Sequence, residues 1–103
     1  MDIEEKERLS RHRDWSDKAI AWRLKAAETL SGEKQKEVAA SIGLKPQTLN
    51  SQIVKGRPSI SLMTYYYRNH RVDFNFILFG DVVHLPGDVQ KRLLAILAEQ
   101  EQS

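Results

Sequence analysis

The placement of glycine and proline constrains this chain more than any other feature. All five glycines and all three prolines fall between apolar stripes of helical period, and none interrupts one, so the sequence divides into short amphipathic segments. Ile20, Leu24, Ala27 and Leu30 mark a helix over residues 14–30, with Asp14 as candidate N-cap, Asp17 in the first turn and Ser31-Gly32 as the stop. Val38, Ala39 and Ile42 mark a second over 33–42, ended by Gly43. Pro46 opens a third at the first helical position, where its missing N–H costs nothing, and this helix runs to about Val54 before Lys55-Gly56-Arg57-Pro58 closes it. Ser59 or Ser61 caps a fourth, carrying Leu62, Met63, Tyr65, Tyr66 and Tyr67. Asp73 caps a short fifth over 74–79, ended by Gly80, and Pro86-Gly87-Asp88 opens a sixth with Val89, Leu93, Ile96 and Leu97 on one face. The aromatic and β-branched run over 72–83 has the composition of a strand, but a lone strand has nothing to pair with. The expected fold is all-α. Residues 1–13, with Ile3 and Leu9 as their apolar positions, read as a polar arm, disordered or partly helical.

A chain of 103 residues has room for one small domain. No apolar run approaches the roughly 18 to 20 residues of a membrane span, and the acid-rich start lacks a signal-peptide stretch, which implies a soluble, cytoplasmic protein. The absence of Cys excludes disulfides, thiolate nucleophiles and Cys-ligated zinc. His12, His70 and His84 lack ligand spacing and no glycine-rich phosphate loop is present, so neither an enzyme nor a cofactor or small-molecule site is expected. The formal net charge of +2 names no partner by itself. Resolved along the chain, residues 1–31 balance to zero, residues 32–71 carry +5 and residues 72–103 carry −3. A basic block in an otherwise balanced domain suits a polyanion, because each Lys or Arg on a phosphate releases condensed counterions; a solvated helix face explains it equally.

The basic block contains two short helices joined by a tight glycine-containing turn, the ingredients of a helix-turn-helix. Such a motif needs a small residue where the helices approach, a turn residue tolerant of positive φ and an apolar anchor on the second helix. Ala39, Gly43 and Leu49 meet these demands in register, with Val38, Ile42 and Leu44 filling the angle. The stretch RLKAAETLSGEKQKEVAASIGLKPQTLNSQIVKG, followed by VDFNFILFG, resembles the DNA-binding domain of phage CI-type repressors and the wider Xre/Cro group over residues 20–81. The resemblance implies a five-helix lambda-repressor-like domain over 14–81, preceded by the arm and followed by an added helix over 82–103. One departure stands at Gln52, where the family pattern has an inward apolar residue and this chain has Ile53 apolar instead. Gly56 also falls one residue later than in the commonest pattern.

If the third helix enters a major groove, Leu49 and Ile53 point inward and Gln47, Thr48, Asn50, Ser51 and Val54 point toward base edges. Gln and Asn can pair with adenine, Ser and Thr can serve several bases, and the Thr methyl or Val54 can touch a thymine methyl. The same residues suit a merely solvated face. By the resemblance, Gln35 contacts phosphate through its amide and the helix N-terminus; Lys36, Lys45, Lys55 and Arg57 flank the face as further phosphate contacts.

Phe74, Phe76, Ile77 and Leu78 read as core rather than a base-stacking platform. Tyr65, Tyr66 and Tyr67 lie about 100° apart around their helix, so at least one is exposed. Trp22 reads as partial core or an interface anchor, and Arg8, Arg11 and Arg13 as a weak minor-groove arm. The stripe Val89, Leu93, Ile96 and Leu97 either docks on its own core or forms a homodimer contact. A dimer would set two recognition helices roughly 34 Å apart on double-stranded DNA with a palindromic operator. The chain leaves no room for the Ser-Lys self-cleaving domain that full-length CI-type repressors often carry. The expected function is a sequence-specific, phage-type transcriptional repressor. The alternative is a helical protein-interaction module, antitoxin-like or an anti-repressor adaptor, that keeps the fold without specific DNA binding.

Overall fold

The computed structural model describes residues 1–103 and is built of helices with no strand. They are α1 (Ile3–Ser10), α2 (Asp17–Ser31), α3 (Gln35–Ser41), α4 (Pro46–Lys55), α5 (Ile60–His70), α6 (Phe74–Phe79) and α7 (Gly87–Gln102). No helix is long and apolar enough to cross a membrane.

Local chemistry sets most of the ends. Ser16, Ser59 and Asp73 each accept from a backbone N–H in the first turn of the following helix, so Ser16 rather than Asp14 caps α2. Asp14 instead accepts from the Ser16 N–H at 3.0 Å, shaping the approach to that cap. Pro46 stands in the first turn of α4, as its lack of an N–H allows.

α2 is the helix around which the others pack, touching α4, α5, α6 and α7. It can do so because Ala19, Ile20, Leu24, Ala26, Ala27 and Leu30 are all buried, and its alanines let neighbours approach closely. Leu49 and Ile53 of α4, Leu62 and Tyr66 of α5, Phe76 and Ile77 of α6, and Leu93 and Leu97 of α7 complete one continuous core. Phe74 and Leu78 pack at its margin, Tyr65 is half-buried and Tyr67 is exposed.

Residues 1–13 take the helical of their two readings: most of the segment is α1, which packs on α7 with Leu9 fully buried. Of the three arginines, Arg8 pairs with Glu101 at the surface and Arg11 lies over the Trp22 ring at 4.2 Å, while Arg13 is exposed. The Trp22 indole donates to the Leu9 carbonyl at 2.8 Å, which ties this side chain to α1 rather than to a partner. The stripe on α7 takes the first of its two readings: Val89, Leu93 and Leu97 are buried against the molecule's own core, and Ile96 is partly exposed.

Arg23 forms a junction that no sequence pattern marks. Its guanidinium is fully buried and has no carboxylate partner; instead it donates to the carbonyls of Ser10 at 2.7 Å, Ile77 at 3.2 Å, Asp14 at 2.5 Å and Arg11. These carbonyls belong to the ends of α1 and α6 and the loop before α2, the negative poles of two short helices. Burial lowers the Arg23 pKa to about 10, which leaves the group charged at neutral pH. Gly80 makes the junction possible: at φ +73° a Cβ there would stand 2.5 Å from the Ser10 carbonyl oxygen and 2.9 Å from Arg23 Nε.

Candidate nucleic-acid interface

α3 and α4 are joined by the short link 42–45, in which Gly43 takes a positive φ of +71°. Val38 and Ala39 of α3 and Leu49 and Ile53 of α4 are buried, while Ile42 and Leu44 pack partly buried at the margin. With Leu49 and Ile53 inward, the helical period turns Gln47, Thr48, Asn50 and Val54 outward, and all four are exposed; Ser51 is half-buried beside them. Gln47, Thr48 and Ser51 make no side-chain hydrogen bond within the molecule. Together with Gln52, Lys55 and Arg57 they line a shallow depression that has no hydrophobic wall.

Gln52 and Gly56 each make a contact that fixes the end of α4. Gln52 does not need an apolar pocket, because its Oε1 accepts from the Ser59 N–H at 2.8 Å and so ties the end of α4 to the start of α5. Ile53 supplies the inward apolar contact one position later. Gly56 lies against the N-terminal turn of α2, where a Cβ would fall 1.8 Å from the Asp17 carbonyl oxygen at φ +70°. Both contacts hold the far end of α4 rigidly on the scaffold.

The cations around this face divide into two kinds. Lys36, Lys45 and Lys55 are exposed and form no ion pair, so their charge is available to a ligand. Arg57 is different: its Nη2 and Nε both lie 3.0 Å from Asp17 Oδ2, an exposed pair that offsets part of its charge and positions it at the edge of the depression. α4 itself carries no acidic residue.

From sequence Gln35 and Asn50 have separate roles; the structure brings them together. Gln35 Nε2 donates to Glu28 Oε2 of α2 at 2.6 Å and to Asn50 Oδ1 of α4 at 3.1 Å. Both amide hydrogens of Gln35 are therefore committed inside the molecule, and its side-chain NH2 is not free to donate to a phosphate. No pattern on α2 marks Glu28, since only the packing of three helices places it beside Gln35.

A second polar cluster lies at the start of α3. Glu33 accepts from the Tyr65 hydroxyl at 2.5 Å and faces His70 Nε2 at 2.5 Å. The hydrogen bond from Tyr65 and then the contact with His70 hold the Glu33 carboxyl below its ordinary pKa, while burial and the Glu33 contact push the Tyr65 hydroxyl up to about 12. The cluster pins the α2–α3 link onto α5. No group of three or more His, Asp or Glu side chains converges to hold a metal ion. No protein-family model, curated protein or solved structure matches the chain.

Proposed function

We propose that the chain is a sequence-specific double-stranded DNA-binding transcriptional regulator of the repressor type. In this reading α2–α6 form a lambda-repressor-like unit, α3 and α4 act as its helix-turn-helix, and α4 lies in the major groove. The observation that carries the reading is the outer face of α4. Its amides and hydroxyls are exposed and mostly unpartnered, no acid lies on the helix, and three unpaired lysines surround it. A solvated face has no need of that combination, whereas a groove offers base edges to the amides and phosphates to the lysines. Gln47, Thr48, Asn50, Ser51 and Val54 are the base-contacting residues, and Lys36, Lys45, Lys55 and Arg57 the phosphate-contacting ones.

The test is a selection of duplexes from a random pool by the purified chain. Enrichment of a defined sequence is expected, and two half-sites about one helical turn apart would show that it binds as a twofold pair. Recovery of the starting pool at every salt concentration would overturn the reading. A protein-interaction module is the second reading, favoured by one observation: Trp15 is 66% exposed and Phe79 44% exposed, and their rings meet edge to face at 6.3 Å. Under that reading Trp15→Ala abolishes partner capture while the Gln47→Ala variant retains it.

A further inference from the structure

The contact chain Glu28, Gln35, Asn50 determines which way an amide on α4 faces. A carboxylate only accepts hydrogen bonds, so Glu28 requires the NH2 end of Gln35 to face it. The same nitrogen carries a second hydrogen, and this one points at Asn50. Asn50 must then present its carbonyl oxygen to Gln35 and turn its own NH2 outward. Reversing Asn50 would set NH2 against NH2, and reversing Gln35 would set its carbonyl against the Glu28 carboxylate. The polarity of an exposed side chain on α4 is thus set from α2, two helices away in sequence.

We infer that Asn50 reads a base edge made of acceptors, guanine first, and that Glu28 is the positioning residue that selects it. This rests on the DNA-binding reading above. The paired contact of Asn with adenine needs one donor and one acceptor pointing at the base, because adenine shows N7 as acceptor and its N6 amino group as donor. With one lone pair of Oδ1 taken by Gln35 and the NH2 held away from it, Asn50 presents N–H groups to the base first. Guanine shows two adjacent acceptors, N7 and O6, either of which can take such an N–H; adenine offers N7 alone, and its amino group faces a second N–H donor to donor. Sequence alone leads to adenine for this residue, and the network redirects it.

Glu28→Gln tests this, since the substituted amide has nearly the same size but can accept or donate, which frees the polarity of the whole chain of contacts. Duplexes are selected from a random pool by the wild type, by Glu28→Gln and by Asn50→Ala. In the wild-type pool, the base position whose preference Asn50→Ala erases is expected to favour guanine over adenine by about tenfold. With Glu28→Gln the ratio is expected to fall to about twofold or less, at an unchanged melting temperature. Adenine favoured by the wild type at that position, or a ratio unaltered by Glu28→Gln, would overturn the inference and leave DNA binding standing. No enrichment by any variant would overturn DNA binding and this inference together. A measurement on the free protein separates the contact network from both: by NMR the Gln35 side-chain amide protons are expected to exchange with water more slowly than those of Gln47, and Glu28→Gln to remove the difference. Equal exchange of the two amides in the wild type would overturn the network itself.

Discussion

At the junction of α1, α2 and α6 the donors of Arg23 meet four backbone carbonyls, whereas along α4 the side chains of Gln47, Thr48 and Ser51 meet none. Both regions are rich in hydrogen-bonding groups, yet they answer different physical demands. In the buried junction an unpaired donor or carbonyl would carry its full desolvation cost, so every group there has a partner and the backbone ends are locked in place. On α4 water already satisfies the free groups, so they remain exchangeable for another surface at little cost. Removing a group from the first region should change stability, and removing one from the second should change recognition.

Replacing Arg23 with Leu tests the first half most severely. It leaves four carbonyls without their donor in a dry site, and a loss of about 4 kcal/mol is expected in urea unfolding. Gly56→Ala should cost about 3 kcal/mol by the same measurement, because a methyl group must displace the Asp17 carbonyl at a backbone angle unfavourable to alanine. If either variant unfolds like the wild type, the contrast between a locked scaffold and a free face fails. Gln47→Ala should do the reverse: stability within about 0.5 kcal/mol of wild type, with affinity for the selected duplex about tenfold weaker in a titration at fixed salt.

Tyr65→Phe lies between the two regions and sharpens where the scaffold ends. It should cost about 1 kcal/mol at pH 7. Glu33 has a folded pKa below its unfolded one, so its contribution is fully present above the ordinary carboxylate value of 4.5 and is lost as pH falls through the lower folded value. The wild type should therefore lose stability over that acid range, and Tyr65→Phe should lose less of it. An identical acid slope for both proteins would show that the Tyr65–Glu33 bond does not contribute.

The six principal helices are legible because residues whose backbone chemistry acts locally mark their ends: a capping Ser or Asp, a Pro in the first turn, a Gly beyond the end, or, for α7, the Pro86-Gly87 that opens it. α1 was only partly legible. Its single deeply buried apolar residue is Leu9, and a stripe that short is indistinguishable from a polar arm until Trp22 and Arg23 reach it. Inward and outward positions on α4 followed from the helical period alone. Glu28, the commitment of Gln35 and the pairing of Arg57 with Asp17 did not, since each depends on residues from separate helices meeting in space. The stripe on α7 shows the limit from the other direction: periodicity reveals that a face is apolar but not whether the surface covering it belongs to the same chain.

The meeting of α1 with α7 has a kinetic consequence. Arg8 and Glu101 are 93 positions apart, and Gln100 reaches back to the Trp22 carbonyl at 3.1 Å across 78. Bringing such distant segments together closes a loop nearly as long as the chain, and that entropy must be lost before the contacts reward it. α2 to α6 are instead joined by short links, so the loops that their mutual contacts close are shorter. The clasp of the outer helices should therefore form late in folding, and its amides should lose hydrogen-exchange protection before those of α2.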